Sequence, residues 1–396
     1  MDFRAAVGSS NKKDIHAAVN EALSSAQRKI SGQEIDLACV FATVELAKEN
    51  LLKNIKQLLK PGVPLIGCSG MQLITPEGVL KNGLSILLLS CPGLKISSSS
   101  IDQLKEKGAF SGGQELGSYL ISTVKGYRRE LCLIFSDGLL EDTANFLKGL
   151  QSALGTSFPL IGGGSADNLS FRQTFQFHNE SILHNGAVAC LFSGKLNYGF
   201  GIRHGWKPLG KVHTVTASTA NIIREIDGKR AAGLYEDYFS KSLEELQKEI
   251  LHINILYPLG IYLDAENEYL LRNVVLLNNS GSLITEGAVA EGAQIRLMIG
   301  TKDSCLQAAC QAATQVKLDT QDKKIDLLFI ISSASRARLL GRNTEEEIKA
   351  VREIIGKNIP FIGFYGYGQQ APLKTASYYG QSYCHNQAIA ILGIGS

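Results

Sequence analysis

Charge imbalance is almost absent from the chain: 40 Lys and Arg stand against 37 Asp and Glu in 396 residues, a formal charge of +3. That balance excludes electrostatic capture of nucleic acid or anionic lipid over a whole face. Long apolar runs are missing too. The longest, around residues 84–89, falls far short of the roughly 18 residues a membrane-crossing helix needs. No basic stretch followed by an apolar one opens the sequence. The eight cysteines (39, 68, 91, 132, 190, 305, 310, 384) include no Cys-x-x-Cys, and several lie in apolar runs such as 37–41 and 131–133, the setting of buried reduced thiols. None of the seven His joins other ligand types at metal-binding spacing. These absences predict a soluble cytoplasmic protein with no cofactor, no metal, no nucleic-acid partner and no membrane insertion.

What is present is length, apolar content and glycine. The chain, 44% hydrophobic, exceeds the roughly 250–300 residues over which one core grows, so two domains are expected. The 40 glycines concentrate in short loops after hydrophobic segments. One phrase recurs three times: Val63-Pro64-Leu65-Ile66-Gly67, Phe158-Pro159-Leu160-Ile161-Gly162 and Ile359-Pro360-Phe361-Ile362-Gly363. Each follows a continuous apolar run (35–41, 131–135, 325–331) and a helical pattern carried by Ala47, Leu51, Ile55 and Leu58, by Leu147, Leu150 and Leu154, or by Ile348, Val351 and Ile355. The third helix has the Thr344-x-x-Glu347 spacing of a capping box. A further helix precedes each unit, with Asn11, Ser111 and Asp303 as expected caps. Another apolar strand follows each (83–90, 186–193, 386–393).

The expected fold is therefore α/β: repeated strand-helix-strand units with parallel crossovers, forming mixed sheets buried on both faces. Gly67 and Gly162 are 95 residues apart but Gly162 and Gly363 are 201 apart, so about one unit length has been inserted or has diverged before the third copy. That segment, 196–292, is more β-rich, with strands expected at 212–217, 253–263, 273–277 and 282–285 and a hairpin turn at 278–281.

Ligands of open α/β sheets gather beyond the carboxyl ends of strands. There the repeated phrases run into Gly67-Cys68-Ser69-Gly70, Gly162-Gly163-Gly164-Ser165-Ala166-Asp167-Asn168 and Gly363-Phe364-Tyr365-Gly366-Tyr367-Gly368-Gln369. Small residues let backbone N–H groups face an anion, while Asp167, Asn168 and Gln369 can fix polar groups and Tyr365 and Tyr367 can form an apolar wall. The same glycines can equally serve tight strand ends. Residues 62–69 lack the lysine of a Walker loop, and no Gly-x-Ser-x-Gly elbow surrounds Ser69 or Ser165. Cys68 is either a reactive thiol, with His204 or His385 as base, or a packed one. His204-Gly205-Trp206 either closes over an anionic ligand or packs a corner between domains. Arg336 and Arg338 either hold a ligand carboxylate or begin a solvated helix.

Ser136-Asp137-Gly138, the stretch from Pro159 to Asp167, His204-Gly205-Trp206-x-Pro208-Leu209-Gly210, Thr214-x-Thr216-x-Ser218 and Asp227-Gly228 resemble the FIST N-terminal domain. Gly363 to Gly368 and His385-Asn386-Gln387 resemble the FIST C-terminal domain. The resemblance runs over nearly the whole chain and divides it into 1–225, an N-terminal-like domain of two α/β units, and 226–396, a C-terminal-like domain of the β-rich segment and the third unit. It implies an intracellular sensory module for small ligands, amino acids being the proposed class, and brings no catalytic residues. Gln369 stands where the family commonly carries Glu, which weakens the case for a ligand amine.

The expected function is a standalone ligand-binding or sensory protein, its ligand an amino acid or other small carboxylate, signalling through a protein partner. Its expected binding residues are Gly67, Cys68, Ser69, Gly163, Gly164, Ser165, Asp167, Asn168, His204, Trp206, Arg336, Tyr365, Gly366, Tyr367 and Gln369. The alternatives are an interaction scaffold presenting Tyr365, Tyr367, Tyr378 and Tyr379, and an enzyme with Cys68 as nucleophile.

Overall fold

The computed structural model describes residues 3–263, 269–321, 323–373 and 381–396. Three units of one plan account for most of it. The first runs β1 (Arg4–Ser10), α1 (Ile15–Lys29), β2 (Leu37–Ala42), α2 (Glu49–Leu58), β3 (Leu65–Ser69), a hairpin β4 (Gln72–Thr75) and β5 (Gly78–Leu80), then β6 (Leu84–Ser90). The second repeats it with β7 (Lys95–Ile101), α3 (Leu104–Lys107), α4 (Ala109–Ser122), β8 (Arg129–Ser136), α5 (Thr143–Leu154), β9 (Leu160–Gly164), the hairpin β10 (Gln176–His178) and β11 (Ser181–Leu183), and β12 (Ala187–Ser193).

The third unit opens with β13 (Asn197–Arg203) and is then interrupted. The interruption comprises β14 (Lys207–Thr219), β15 (Ile222–Ile226), β16 (Lys229–Arg230), α6 (Gly233–Phe239), α7 (Leu243–Leu256), β17 (Leu259–Ile261), β18 (Leu270–Arg272), β19 (Val274–Leu277), β20 (Leu283–Thr285) and β21 (Gln294–Ile299). The unit resumes with α8 (Lys302–Asp319), β22 (Leu327–Ser333), α9 (Ala334–Leu340), a 3-10 turn (Gly341–Asn343), α10 (Thr344–Ile355), β23 (Phe361–Gly366), the hairpin β24 (Gln369–Pro372) and β25 (Ser382–His385), and β26 (Ile389–Gly395). The β-rich segment is thus an insertion after the first strand of unit three. The longer third crossover is explained by α9 and the 3-10 turn, which precede α10.

Each unit forms a sheet in the same strand order and then borrows a hairpin. The orders are β1-β6-β2-β3-β10-β11, β7-β12-β8-β9-β24-β25 and β13-β26-β22-β23-β4-β5. Unit two's hairpin completes sheet one, unit three's completes sheet two, and unit one's completes sheet three, a cyclic exchange that ties the units together. Strands β2 and β3, β8 and β9, and β22 and β23 are parallel, as the crossovers require; the other pairings in these sheets are antiparallel. The inserted strands form a separate antiparallel sheet, β18-β17-β21-β14-β15-β20-β19, with β16 on β15. The 225/226 division expected from sequence runs through β15.

Strand alternation explains the continuous apolar runs. Leu37, Cys39 and Phe41 of β2, Leu131, Leu133 and Phe135 of β8, and Leu327, Phe329 and Ile331 of β22 face one shared core between the three sheets. The intervening residues, such as Val40, Ile134 and Ile330, pack under the helices outside. At the carboxyl ends of the strands Phe41, Phe135 and Phe364 interlock, with ring centroids 5.2, 4.8 and 5.9 Å apart. Such pairs add about 0.5–1.5 kcal/mol each beyond burial. The glycine ending each repeated phrase stands against the carbonyl of its strand partner Val40, Ile134 or Ile330, with no room for a Cβ. Close backbone packing accounts for those three glycines.

Several caps differ from expectation because more than one polar residue within a turn can serve. Asp14, and not Asn11, caps α1, accepting from Ala17 N at 2.8 Å. Helix α4 starts after Gly108, whose φ is 83°, leaving Ser111 inside it. Thr301, and not Asp303, caps α8 through a box with Ser304. The expected Thr344–Glu347 box does not form, because Glu347 turns into the core. Residues 253–256, expected as strand, end α7, which a Ser242–Glu245 capping box starts and whose Leu246, Ile250 and Asn254 bury at helical spacing. Leu58 is exposed. No helix among the described residues is long and apolar enough to cross a membrane.

Candidate functional site

The insertion sits over the carboxyl ends of the core strands, with α7 packed on α9, and encloses a cleft. One lobe, about 210 Å³, is walled on the core side by Leu169, Phe171, Ser333, Ser335, Arg338 and Tyr367 and on the insertion side by Leu251, His252, Asn254, Asn273, Val275 and Glu286. A second, about 460 Å³, shares Phe171, Leu251, Val275, Glu286 and Tyr367 and extends to Gly138, Arg272 and Asn386. That lobe falls in the roughly 300–1,000 Å³ range of small-molecule pockets.

The loop between β9 and β10 builds the core-side wall. Asp167 organises it: its carboxylate accepts from the backbone N–H of Ser170 (3.0 Å), Phe171 (3.1 Å), Arg172 (2.9 Å) and Gln173 (3.3 Å), and from the hydroxyls of Ser170 and Tyr367, both at 2.6 Å. Burial opposes ionisation of Asp167, but these bonds outweigh it and lower the carboxyl to about 2. Leu169 and Phe171 are held at φ 70° and 51°, a region that side chains with a Cβ rarely occupy. Both line the cleft, and Phe171 stacks on Tyr367 with centroids 4.8 Å apart.

The polar groups of the insertion-side wall rest on the third unit's last turn. Asn386 Nδ2 (3.1 Å) and Asn273 Nδ2 (2.7 Å) both donate to Glu286 Oε2, which leaves Oε1 with no donor among the described residues. Gln387 Nε2 donates to Asn273 Oδ1 at 2.5 Å and to Asn254 O at 2.8 Å, so His385-Asn386-Gln387 buttresses the wall from behind. Burial pushes the Glu286 carboxyl above its ordinary range; Asn273 and the charge of Arg272 partly offset this. Burial likewise lowers Arg272, which donates to the carbonyls of Leu271, Ala288 and Cys384. Arg338, across the cleft, pairs with no carboxylate among the described residues.

Of the residues expected from sequence, the structure brings Gly366 and Tyr367 to the cleft wall. Gly163, Gly164 and Ser165 lie behind it in buried backbone: Gly164 N donates to Gly368 O, and Ser165 Oγ to Ser136 O and Thr174 Oγ. Asp167 shapes the loop and spends its oxygens there. Asn168 lines a different cavity. Gln369 is fully buried on β24, its oxygen accepting from Ala388 N, so the family's Glu-to-Gln difference falls outside the cleft wall. Gly67, Cys68 and Ser69 belong to β3; Ser69 Oγ donates to Ala166 O.

Cys68 faces the shared core, and burial pushes its thiol well above the ordinary range, the opposite of what a nucleophile needs. Tyr365 is buried with its hydroxyl on Glu347 Oε2 at 3.1 Å. Tyr378 and Tyr379, the rest of the expected scaffold surface, lie outside the described residues. Trp206 packs with Leu271, Met298, Cys305 and Leu340 and donates to Ile255 O, which makes the His204–Trp206 turn a packed corner between core and insertion. His204 Nδ1 accepts from Trp206 N.

Arg336 is fully buried and makes four hydrogen bonds. It bonds Glu347 Oε1 through Nε (2.8 Å) and Nη2 (2.6 Å), and the carbonyls of His204 (2.5 Å) and Cys305 (2.8 Å). Fixed on the Glu347 carboxylate in this way, the guanidinium holds the corner together and, fully buried, lies out of a ligand's reach. Arg338, two residues on, is the one that reaches the cleft. Sequence reasoning missed Glu286, Asn273, Asn254 and Phe171 as site residues; the first three lie in the insertion, whose docking no local pattern announces.

Family models match the chain in two consecutive blocks, the FIST N domain over residues 36–229 and the FIST C domain over 231–372. An uncharacterised protein of Methanocaldococcus jannaschii is 22% identical over 284 residues, 65% of this chain. The chain spans about half the length of that relative, 53%. Among solved structures, a cyanuric acid hydrolase aligns over 99% of this chain and 100% of its own at 9% identity and TM-score 0.38. PurLQS from Thermotoga maritima aligns over 100% of this chain and 73% of its own at 8% identity and TM-score 0.22. Likeness at this level carries no inference about this chain.

Proposed function

The chain belongs to the FIST family, N and C domains in order, and from that premise we propose that it is a sensor for a free amino acid held in the cleft between core and insertion. FIST domains are generally sensory, small-ligand-binding signalling domains. The observation that carries the finer reading is the pairing of opposite charges across a cleft with apolar residues between them. Glu286 Oε1 is unclaimed on one wall and the Arg338 guanidinium on the other, with Leu169, Phe171, Leu251, Val275 and Tyr367 between them. An ammonium placed on Glu286 restores the charged carboxylate that burial disfavours, and a carboxylate on Arg338 gains a fork of parallel hydrogen bonds. The apolar wall then receives the side chain. Because both lobes lie between core and insertion, ligand binding favours the closed arrangement of the two, a change a signalling partner can read.

Calorimetric titration of the full chain with a panel of amino acids, beside the amine and the acid that each becomes on losing one charged group, tests this. The reading expects saturable binding of one or a few amino acids and at least tenfold weaker binding of both truncated analogues. Equal affinity for an analogue lacking the amine would remove Glu286 from the site.

A further inference from the structure

The cyclic hairpin exchange creates a further cavity, which adjoins the cleft at Leu169 and Arg338. The β4–β5 hairpin of unit one leaves its own sheet and pairs with β23, which lays residues 71–81 beside α9, the 3-10 turn and the start of α10. The space enclosed is about 540 Å³. Three cations line it: Lys81 at the end of the hairpin, Arg338 on α9 and Arg342 in the 3-10 turn. Among the described residues none of the three is bonded to a carboxylate. Among the described residues Glu345 is the one acidic group in the wall, so their side chains give the cavity a net excess of two positive charges. A concave surface of one sign concentrates counter-ions of the other.

One further group is unsatisfied here. Gln72, in the same wall, keeps its amide oxygen buried with no donor among the described residues. Buried acceptors of this kind are normally paired, and a turn of the Gln72 side chain would bring it to a ligand hydroxyl or N–H.

We propose that this cavity binds a small phosphate ester bearing hydroxyl groups. A phosphate monoester carries about −1.5 to −2 charge at pH 7, which matches the excess in the wall. Arg338 and Arg342 present planar forks suited to phosphate oxygens, and Lys81 supplies a point charge. The hydroxyl-bearing part lies over Met71, Val79 and Ala337 and donates to Gln72. Arg338 and Leu169 line both this cavity and the cleft, so occupancy of one is felt at the other.

The full chain is titrated with ribose 5-phosphate, with ribose and with citrate, ionic strength matched with sodium chloride. Saturable binding is expected for ribose 5-phosphate and none for ribose. A Lys81→Ala/Arg342→Ala double variant, altered only at exposed side chains, should weaken binding at least tenfold. No saturable binding, or equal binding to the double variant, would overturn the site. Tighter binding of citrate than of the phosphate ester would overturn the ligand class. Because the amino-acid panel and Glu286 play no part in the readout, its failure is separate from failure of the cleft reading.

Discussion

Arg336 and Arg338 stand two residues apart on one short helix and serve opposite ends. Arg336→Ala leaves Glu347 charged, buried and unpaired, and is expected to cost about 3–5 kcal/mol in chemical denaturation. Arg338→Ala, at an exposed position, should change stability by less than about 0.5 kcal/mol while weakening the amino acid in titration. Glu286→Gln keeps the Glu286 shape but loses the charge that meets an ammonium; a charged hydrogen bond of about 1.5–3 kcal/mol corresponds to roughly 10- to 100-fold in dissociation constant. The sequence pattern marked both arginines as candidates and placed Arg336, not Arg338, among the expected binding residues, since Arg336's partner lies eleven residues on and faces it only once α9 and α10 turn against each other. Glu286 was not legible at all: nothing near it hints that Asn273 and Asn386, 13 and 100 residues away, hold one of its oxygens.

At the scale of elements, the β9–β10 loop depends on Asp167. Its stabilising contribution is present above the ordinary carboxylate pKa of 3.8 and is lost as pH falls through about 2. Asp167→Ala unpairs four backbone N–H groups of the loop and the Tyr367 hydroxyl and should lower stability by about 3 kcal/mol; Tyr367→Phe, removing one hydroxyl, should cost about 1–2 kcal/mol, both read from urea midpoints. Gly164→Leu and Gly366→Leu put side chains into the backbone of Tyr367 and Gly164, so the expected result is loss of folded protein, which makes them poor probes of binding. The strand-helix-strand units were legible because periodicity and the thrice-repeated phrase record burial on both faces. The hairpins' exchange was not, because β4–β5, β10–β11 and β24–β25 are short segments whose partners are chosen by the packed sheets.

For the molecule as a whole, the corner between core and insertion is sensitive to acid. Burial, then the neighbouring Arg336 and Arg203 charges, hold His204 down at about 3, and burial with Arg272 holds His385 at about 4. Both are neutral when folded and take up protons near 6.5 when unfolded, so stability is full above pH 6.5 and falls as pH drops toward 4, by up to about 1.4 kcal/mol per pH unit for each imidazole. In His385→Gln, urea midpoints between pH 6.5 and 4 should fall less steeply by one proton's worth. The central claim is that core and insertion close over an amino acid held by Glu286 and Arg338, and the most direct measurement compares the thermal midpoint of wild type and Glu286→Gln against the amino-acid panel. A ligand at 100 times its dissociation constant adds about 2.7 kcal/mol of stability, so the account predicts a selective rise for one or a few amino acids in the wild type and its loss in the variant. A panel without any rise, or an equal rise in Glu286→Gln, would contradict it.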